Sequence, residues 1–413
     1  MTDATRTAWL AVALLLAVLI VDGLDLQLLS LLAPVILQEW GIDRADFGPA
    51  MSAAMIGMSA GAALGGWLGD RMSPRRVLLA STVLFGAATA SAALVDGLWS
   101  LAALRVVAGF GFGAAAPNAI ALATAWTPAR HRHRVVSLLS VGTPLGGLLG
   151  ALLLIGYLSA LGWRGSFVLC GTLALVLAVA MAWATRRPAV GDGAPAAPAA
   201  TAAKADRAGV FAASFRRLNL GAWLSFLAIS YVAYAFAAWG TVFLTQAGLA
   251  LPAALQALLG FNLAAVIMAI TTGFIVTARG SAVVMRHGSL ATWVACGLMW
   301  LALQPETQAA GWQTLGVRVA AVLAGAATGA VLASLYTVLA NAYPPSCRGF
   351  GIGLGMLLGR GGAIASTYTG GMLLASAGSS VTPLFLVLGG CAVLSLLGTA
   401  LIDRHVLPAA SRE

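Results

Sequence analysis

The run LWSLAALRVVAGFGFGAAAPNAIALATAW, residues 98–126, contains one charged side chain, Arg105. An α-helix needs about 20 apolar residues to cross the hydrocarbon core of a membrane. In lipid the backbone polar groups must be satisfied within the segment itself, which an α-helix achieves. The run therefore predicts a membrane-spanning helix.

The rest of the chain repeats this pattern. Of 413 residues, 60% are hydrophobic and 9% are charged, whereas a soluble domain carries about 25% charged residues. Short polar breaks separate long apolar runs. The sequence therefore predicts an all-α membrane protein with twelve transmembrane helices, near residues 8–34, 48–69, 77–95, 98–126, 134–158, 165–184, 219–244, 252–277, 285–304, 312–340, 347–376 and 381–402.

The basic residues give the orientation of these helices. If the N-terminus is cytoplasmic, inner segments hold eighteen of the 23 Lys and Arg residues, and outer loops hold Arg44 and Arg164. This bias follows the positive-inside rule. We therefore expect both termini in the cytoplasm, and we attribute the net charge of +10 to topology rather than to a nucleic-acid partner.

A polar, Ala- and Pro-rich stretch over residues 185–218 divides the chain. We predict a flexible cytoplasmic linker there, between six-helix bundles at 1–184 and 219–413. The halves also resemble each other, since Arg105 early in span four has a counterpart in Arg318 early in span ten. Internal repeats of this kind are typical of transporters.

Glycine recurs at every fourth position in three spans, which places a smooth stripe on one face of each helix. Such stripes let helix backbones approach closely. Static packing and a sliding surface for a moving helix explain them equally well. The stripes are Gly57, Gly61 and Gly65; Gly142, Gly146 and Gly150; and Gly351, Gly355 and Gly359.

Ionisable residues inside the spans are functional candidates, because charge is costly in lipid. They are Asp22, Asp25, Arg105, Arg318 and Arg360. The alternative for Arg105 and Arg318 is a structural pairing that holds helices together. Asp22 and Asp25 are three residues apart and share a helix face, where two like charges destabilise each other. This arrangement favours a functional role for the pair.

Several motif matches lack the context that their chemistry needs. Gly57–Gly61 fits a G-x-S-x-G nucleophile elbow but lies within a span, without a strand-to-helix turn. Gly109–Gly113 has no βαβ unit around it. His131 and His133 lie among arginines, which indicates a solvated loop, and the cysteines (Cys170, Cys296, Cys347 and Cys391) are scattered. We expect no enzyme, metal site, disulfide or cofactor.

Residues 66–76, GWLGDRMSPRR, resemble the G-x-x-x-D-R-x-G-R-R signature of the major facilitator superfamily. Within it, Asp22-Gly23-Leu24-Asp25 and residues 104–118, LRVVAGFGFGAAAPN, are similar to the first- and fourth-helix motifs of the aromatic acid:proton symporters. Tyr343-Pro344 and Gly359-Arg360 match a later motif of that family. The resemblance implies the major facilitator fold and proton-coupled uptake of benzoate-, hydroxybenzoate- or hydroxyphenylpropionate-like anions across a bacterial inner membrane.

The residues suit this implied role. An arginine can bind a carboxylate at two points in a dry site. We expect Arg360 to be the main anchor of the substrate carboxylate, and Arg105 and Arg318 to be further substrate-binding residues. Rings can stack on the substrate or form ordinary packing and interface contacts. The candidate wall residues are Tyr231, Tyr234, Trp239 and Tyr336, and the resemblance assigns Asp70, Arg71, Arg75 and Arg76 to a gating loop.

Asp22 and Asp25 are the expected proton carriers. All four histidines, His131, His133, His287 and His405, lie in segments that we expect to be cytoplasmic, so no imidazole is expected within the membrane. Desolvation and mutual repulsion favour a proton on one of the two carboxylates. When no proton is bound, Arg105 is expected to keep Asp25, and with it Asp22, ionised. We expect a monomer whose partners are substrate, protons and lipid. The alternatives are uptake of another small organic anion or metabolite, or efflux.

Overall fold

The structure is a computed structural model. It describes residues 3–127, 135, 139, 142–185, 210–305, 312–344, 348–376 and 380–408. Most of the expected linker (residues 186–209), His131, His133 and Cys347 lie outside the described residues. The described part is α-helical with two short 3₁₀ turns and contains no strand, which confirms the predicted all-α class.

The chain folds into two compact units. Unit 1 comprises residues 1–41 and 49–200, and unit 2 comprises residues 42–48 and 201–413. The helices of unit 1 are α1 (Asp3–Trp40), α2 (Arg44–Arg71, whose first turn groups with unit 2), α3 (Pro74–Ser91), α4 (Leu98–Trp126) and the segment Gly142–Ala184.

Glycine breaks that last segment into two helices. Gly162 has a φ of 61°, a left-handed conformation that glycine adopts without the steric penalty of a Cβ. We number the two parts α5 (142–161) and α6 (163–184). In the part of the chain that the structure describes, unit 1 therefore contributes six long helices, as the apolar runs predict.

Unit 2 contains the other six described helices. They are α7 (Arg216–Gln246), α8 (Leu251–Arg279), α9 (Ser281–Ala302), α10 (Gln313–Ala342), α11 (Arg348–Ala375) and α12 (Thr382–Leu401). Helix α7 starts within the expected linker, after a 3₁₀ turn at Ala213–Phe215. Val210 is fully buried and accepts a hydrogen bond from Asn219, so the end of the expected linker packs onto this unit.

Eight stretches of the described helices are long and apolar enough to cross a membrane, with mean hydropathies between 1.6 and 2.3. Helices α2, α5, α9 and α11 are outside this set, and three of these, α2, α9 and α11, share one feature. They carry Gly, Ser and charged side chains such as Arg286 and Arg360 among their apolar residues, which lowers mean hydropathy without shortening the helix.

The glycine stripes of unit 1 pack against neighbouring helices of the same unit. A Cβ added at Gly57 or Gly61 would overlap the α4 backbone at Val106 or Phe110. A Cβ at Gly146 would overlap the carbonyl oxygen of Ile20 on α1. In this structure the stripes are therefore surfaces of close packing within the unit.

Unit 2 repeats this packing. A Cβ at Gly325 on α10 would overlap the Phe261 carbonyl on α8, and a Cβ at Gly362 on α11 would overlap the Leu227 carbonyl on α7. The pairs α8–α10 and α7–α11 therefore correspond to α2–α4 and α1–α5. The stripe at Gly351, Gly355 and Gly359 likewise faces side chains of this unit.

Candidate functional site

A buried ion pair joins α1 and α4 in unit 1. The Nη1 atom of Arg105 on α4 donates to both carboxylate oxygens of Asp25 on α1, at 2.9 and 2.8 Å. Nη2 donates to the Asp25 carbonyl at 3.1 Å, and the Thr89 hydroxyl donates to Oδ1 at 3.1 Å. Arg105 is 1% exposed and Asp25 is 4% exposed. Asp25 is therefore held by four hydrogen bonds, three of them from one guanidinium.

Asp22 lies one helical turn before Asp25 and is 3% exposed. Neither of its carboxylate oxygens has a hydrogen-bond partner among the described residues. The Nε atom of Arg105 is also buried without a partner. An unpaired buried charge is far more costly than a buried neutral acid, so this environment suits a protonated Asp22.

Two further residues, which like Thr89 were not among the predicted site residues, complete the cluster. The Arg105 guanidinium lies 5.9 Å from the centre of the Phe167 ring on α6. The Cys170 thiol, one turn further along α6, interacts electrostatically with Asp25, Arg105 and Asp22. No metal ligands join them, since the described residues contain no group of three His, Cys, Asp or Glu side chains able to hold a metal ion.

Unit 2 places Arg360 beside two of the expected wall residues. The Arg360 guanidinium on α11 interacts electrostatically with the hydroxyls of Tyr234 on α7 and Tyr336 on α10. Arg360 is partly exposed, and no ion pair joins it to an acid among the described residues. Tyr336 is 41% exposed, and Phe226 packs edge-on against its ring at 5.1 Å. We call Arg360, Tyr234 and Tyr336 together the aromatic-flanked cation of unit 2.

The other expected wall residues pack inside unit 2. The Tyr231 hydroxyl shares a 2.7 Å hydrogen bond with Thr369. Trp239 is fully buried, and its indole nitrogen donates to the Thr367 carbonyl at 3.0 Å. In this conformation Trp239 has no surface for a ligand, so the structure gives it a packing contact with α11.

Arg318 differs from its counterpart Arg105. Its side chain is exposed, and Nη2 donates to Gln256 on α8 at 2.6 Å. Among the described residues it pairs with no carboxylate. Its expected role in substrate binding stays a prediction.

The expected gating loop joins α2 to α3. Arg75 donates from Nε to the Thr185 hydroxyl at 2.7 Å and from Nη2 to the Ala182 carbonyl at 3.4 Å. These contacts place a cation at the carboxyl end of α6, where the helix dipole favours it. Arg71 and Arg76 are exposed, and the side chain of Asp70 lies outside the described set.

Two histidines lie among the described residues. His287 lies in the second turn of α9, on its exposed surface, and its expected cytoplasmic position stays a prediction. Its Nδ1 is 2.8 Å from the Val283 carbonyl of the same helix. His405, by contrast, follows α12, outside the spans.

Long apolar helices that bury a few ionisable side chains are typical of a polytopic membrane transporter. A model of the Major Facilitator Superfamily matches residues 15–317, and the chain belongs to this family. The predicted superfamily and its fold are confirmed, and the protein is a transporter rather than an enzyme.

The most similar relatives include three aromatic acid transporters. The gallate transporter of Pseudomonas putida is 28% identical over 92% of this chain and 88% of its own. The 4-hydroxybenzoate transporter PcaK of Pseudomonas aeruginosa is 30% identical over 89% and 86%. The 3-(3-hydroxy-phenyl)propionate transporter of Escherichia coli is 27% identical over 89% and 87%.

Solved structures confirm the fold at lower identity. A D-xylose-proton symporter matches with a TM-score of 0.76 at 15% identity over 100% of both chains. A bacterial homolog of the human lysosomal transporter Spinster matches with a TM-score of 0.76 at 17% identity over 97% of both. At these identities the likeness concerns the fold alone.

Proposed function

We propose that this protein carries small aromatic carboxylates into a bacterial cell together with protons. It does so across the inner membrane, as a monomer with both termini in the cytoplasm, through two six-helix halves joined by a cytoplasmic linker. The similarity to gallate, 4-hydroxybenzoate and hydroxyphenylpropionate transporters supports the substrate class. The excess of basic residues in alternate loops supports the orientation.

The observation that carries the substrate assignment is the aromatic-flanked cation of unit 2. Arg360 has no acidic partner among the described residues, so its guanidinium is available to a carboxylate. A bidentate Arg–carboxylate pair provides two charge-assisted hydrogen bonds in one plane. Tyr234 and Tyr336 offer ring faces and hydroxyls beside it, and a benzoate-like anion presents both a carboxylate and a ring.

The coupling proton is assigned to Asp22. Asp25 is fully engaged by Arg105 and Thr89, so its carboxylate is stabilised as an ion. Asp22 accepts no hydrogen bond from any described residue. A neutral Asp22 suits the buried state seen here, and an ionised Asp22 needs a new partner or water.

Arg105 is a suitable partner for that ionised state. Its Nε–H is unused and buried, and Asp22 shares a helix face with Asp25. Release of the proton from Asp22 creates a second carboxylate that competes with Asp25 for the same guanidinium. We therefore assign a positioning role to Arg105, which binds Asp25 alone while Asp22 is neutral and binds both carboxylates once Asp22 is ionised. This change of partners would couple proton release to movement of α1 against α4.

Ligand binding to the purified full-length protein tests the substrate class. Thermal unfolding is measured with benzoate, 4-hydroxybenzoate, gallate and 3-(3-hydroxyphenyl)propionate, with neutral 4-hydroxybenzyl alcohol and D-xylose as controls. A ligand at 100 times its Kd adds about 2.7 kcal/mol to the free energy of unfolding. We expect at least one acid, and neither control, to raise the Tm.

Other outcomes would favour the alternatives. Equal stabilisation by the neutral alcohol would remove the carboxylate from recognition. Stabilisation by aliphatic anions alone would indicate a carrier of another organic anion. Outward rather than inward movement of a bound acid in proteoliposomes with an imposed proton gradient would indicate efflux.

A further inference from the structure

Unit 2 contains a groove between α8, α9 and α10, apart from the residues assigned to transport. Its volume is about 350 Å³. Aliphatic side chains form most of its lining, and none of the described residues that line it is acidic. The main apolar residues are Met268, Ile275, Val283, Val284, Leu323 and Ala327.

Two polar side chains also line the groove. Arg279 ends α8, is exposed, and makes no ion pair with a described residue. His287 on α9 is exposed, and its Nδ1 contacts the Val283 carbonyl, which fixes the ring against its helix. A cation at the end of an apolar groove is complementary to an amphiphile with an anionic head.

The length of the groove matches one leaflet of a membrane. Met268 and Arg279, which both line it, are separated along α8 by about 16 Å at about 1.5 Å per residue. The hydrocarbon core of a bilayer is about 30 Å thick. The groove therefore runs from a cation at the end of the helix to a depth that an acyl chain of that leaflet reaches.

We propose that this groove binds an anionic phospholipid, with its phosphate at Arg279 and one acyl chain along α8 and α10. Basic pockets between transmembrane helices bind anionic head groups by this combination of charge and apolar surface. The occupant differs from the transported substrate, and the site lies within one unit. A bound lipid would join α8, α9 and α10 at the end where α9 begins.

Native mass spectrometry of the full-length protein in neutral detergent tests this proposal. The protein is mixed with equal amounts of phosphatidylglycerol and phosphatidylcholine that carry the same acyl chains. We expect phosphatidylglycerol adducts to predominate in the unmodified protein. Arg279→Gln should reduce that preference about fivefold, since one basic residue near an anionic membrane surface raises the affinity for it by about this factor.

Matched variants separate the head-group and chain contributions. Arg217→Gln removes an exposed arginine of the same unit that does not line the groove, and it should leave the preference unchanged. Ala291→Phe, which fills the groove at a partly exposed position, should reduce binding of phosphatidylglycerol. Gel filtration verifies that each variant is folded.

Three outcomes would overturn the proposal. They are an unchanged lipid preference in Arg279→Gln, unchanged phosphatidylglycerol binding in a folded Ala291→Phe protein, and displacement of the lipid by millimolar inorganic phosphate. The last outcome would mean that the site recognises free phosphate rather than a lipid.

Discussion

Arg105 in unit 1 and Arg318 in unit 2 occupy corresponding positions near the start of corresponding helices, yet their surroundings are opposite. Arg105 is buried and bound at two points to Asp25, whereas Arg318 is exposed and bound to Gln256. The difference comes from the partner helices. Helix α1 carries Asp22 and Asp25, and α7 carries no acidic residue.

The two units therefore share their helix packing but differ in the charged side chains that they bury. In unit 1, Asp22 and Asp25 lie close to Arg105. This group can take up and release a proton without binding the substrate anion. In unit 2, Arg360 lies beside two tyrosines and makes no ion pair with a carboxylate of the described residues. This contrast leads to the proposal that unit 1 handles the proton and unit 2 handles the anion.

The largest expected effect is on stability. Arg105→Gln leaves the Asp25 carboxylate buried without its cation, and breaking a buried ion pair from one side costs about 3–5 kcal/mol. Arg318→Gln changes an exposed side chain and should alter the free energy of unfolding by at most about 0.5 kcal/mol. Denaturant or thermal unfolding in detergent measures both variants.

A double variant serves as the control for that prediction. Arg105→Met combined with Asp25→Leu removes both charges, so its stability should recover much of the loss. Equal Tm values for Arg105→Gln and Arg318→Gln would contradict the buried pairing on which the comparison depends.

The next effect concerns substrate affinity. Arg360→Ala should weaken binding of an aromatic acid by about tenfold or more, because a hydrogen bond to a charged group contributes about 1.5–3 kcal/mol. Arg360→Lys should be impaired as well, since an ammonium lacks the planar two-point fork. Isothermal titration calorimetry measures the Kd, with Arg217→Lys as the control. Wild-type affinity in Arg360→Lys would remove this residue from the anchoring role.

The smallest effect concerns the segment after α12. Two hydrogen bonds attach this segment to the start of α9: the Ser281 backbone N–H donates to the Val406 carbonyl at 2.9 Å, and the Val406 N–H donates to the Ser281 hydroxyl at 2.8 Å. The same hydroxyl lies 3.2 Å from Nδ1 of His405. Burial, and then the charge of Arg286, lower the pKa of His405. Asp403 and a backbone contact to Thr399 oppose this shift.

The sign of the pH dependence follows from that lowered pKa. Docking of the segment is complete above the ordinary pKa of a histidine, about 6.5, and weakens as the pH falls through the lower pKa of the docked state. Hydrogen exchange at the Val406 amide should therefore accelerate, relative to its intrinsic rate, as the pH falls below about 6. His405→Gln, which cannot gain a proton, should remove this acceleration, and its persistence in that variant would assign it to another group.

Much of the fold could be predicted because lipid penalises charge and unsatisfied backbone groups. The helix runs and the candidate charges at Asp22, Asp25 and Arg105 follow from that penalty. Thr89, Phe167 and Cys170 could not be predicted as members of the site, since each is an ordinary residue within an apolar span. The exposure of Arg318 could not be predicted either. Counting residues along a helix gives the depth of a residue in the membrane but not the direction of its side chain.

The proposed division between the units is tested most directly by Asp22→Asn in proteoliposomes, with Arg217→Gln as the control. Asparagine mimics a permanently neutral acid and leaves the Arg105–Asp25 pair intact. We predict that the variant still exchanges labelled aromatic acid across the membrane at equal concentrations, but no longer accumulates it when a proton gradient is imposed. Accumulation at the wild-type level, with protons still entering alongside substrate, would contradict the assignment of the coupling proton to Asp22.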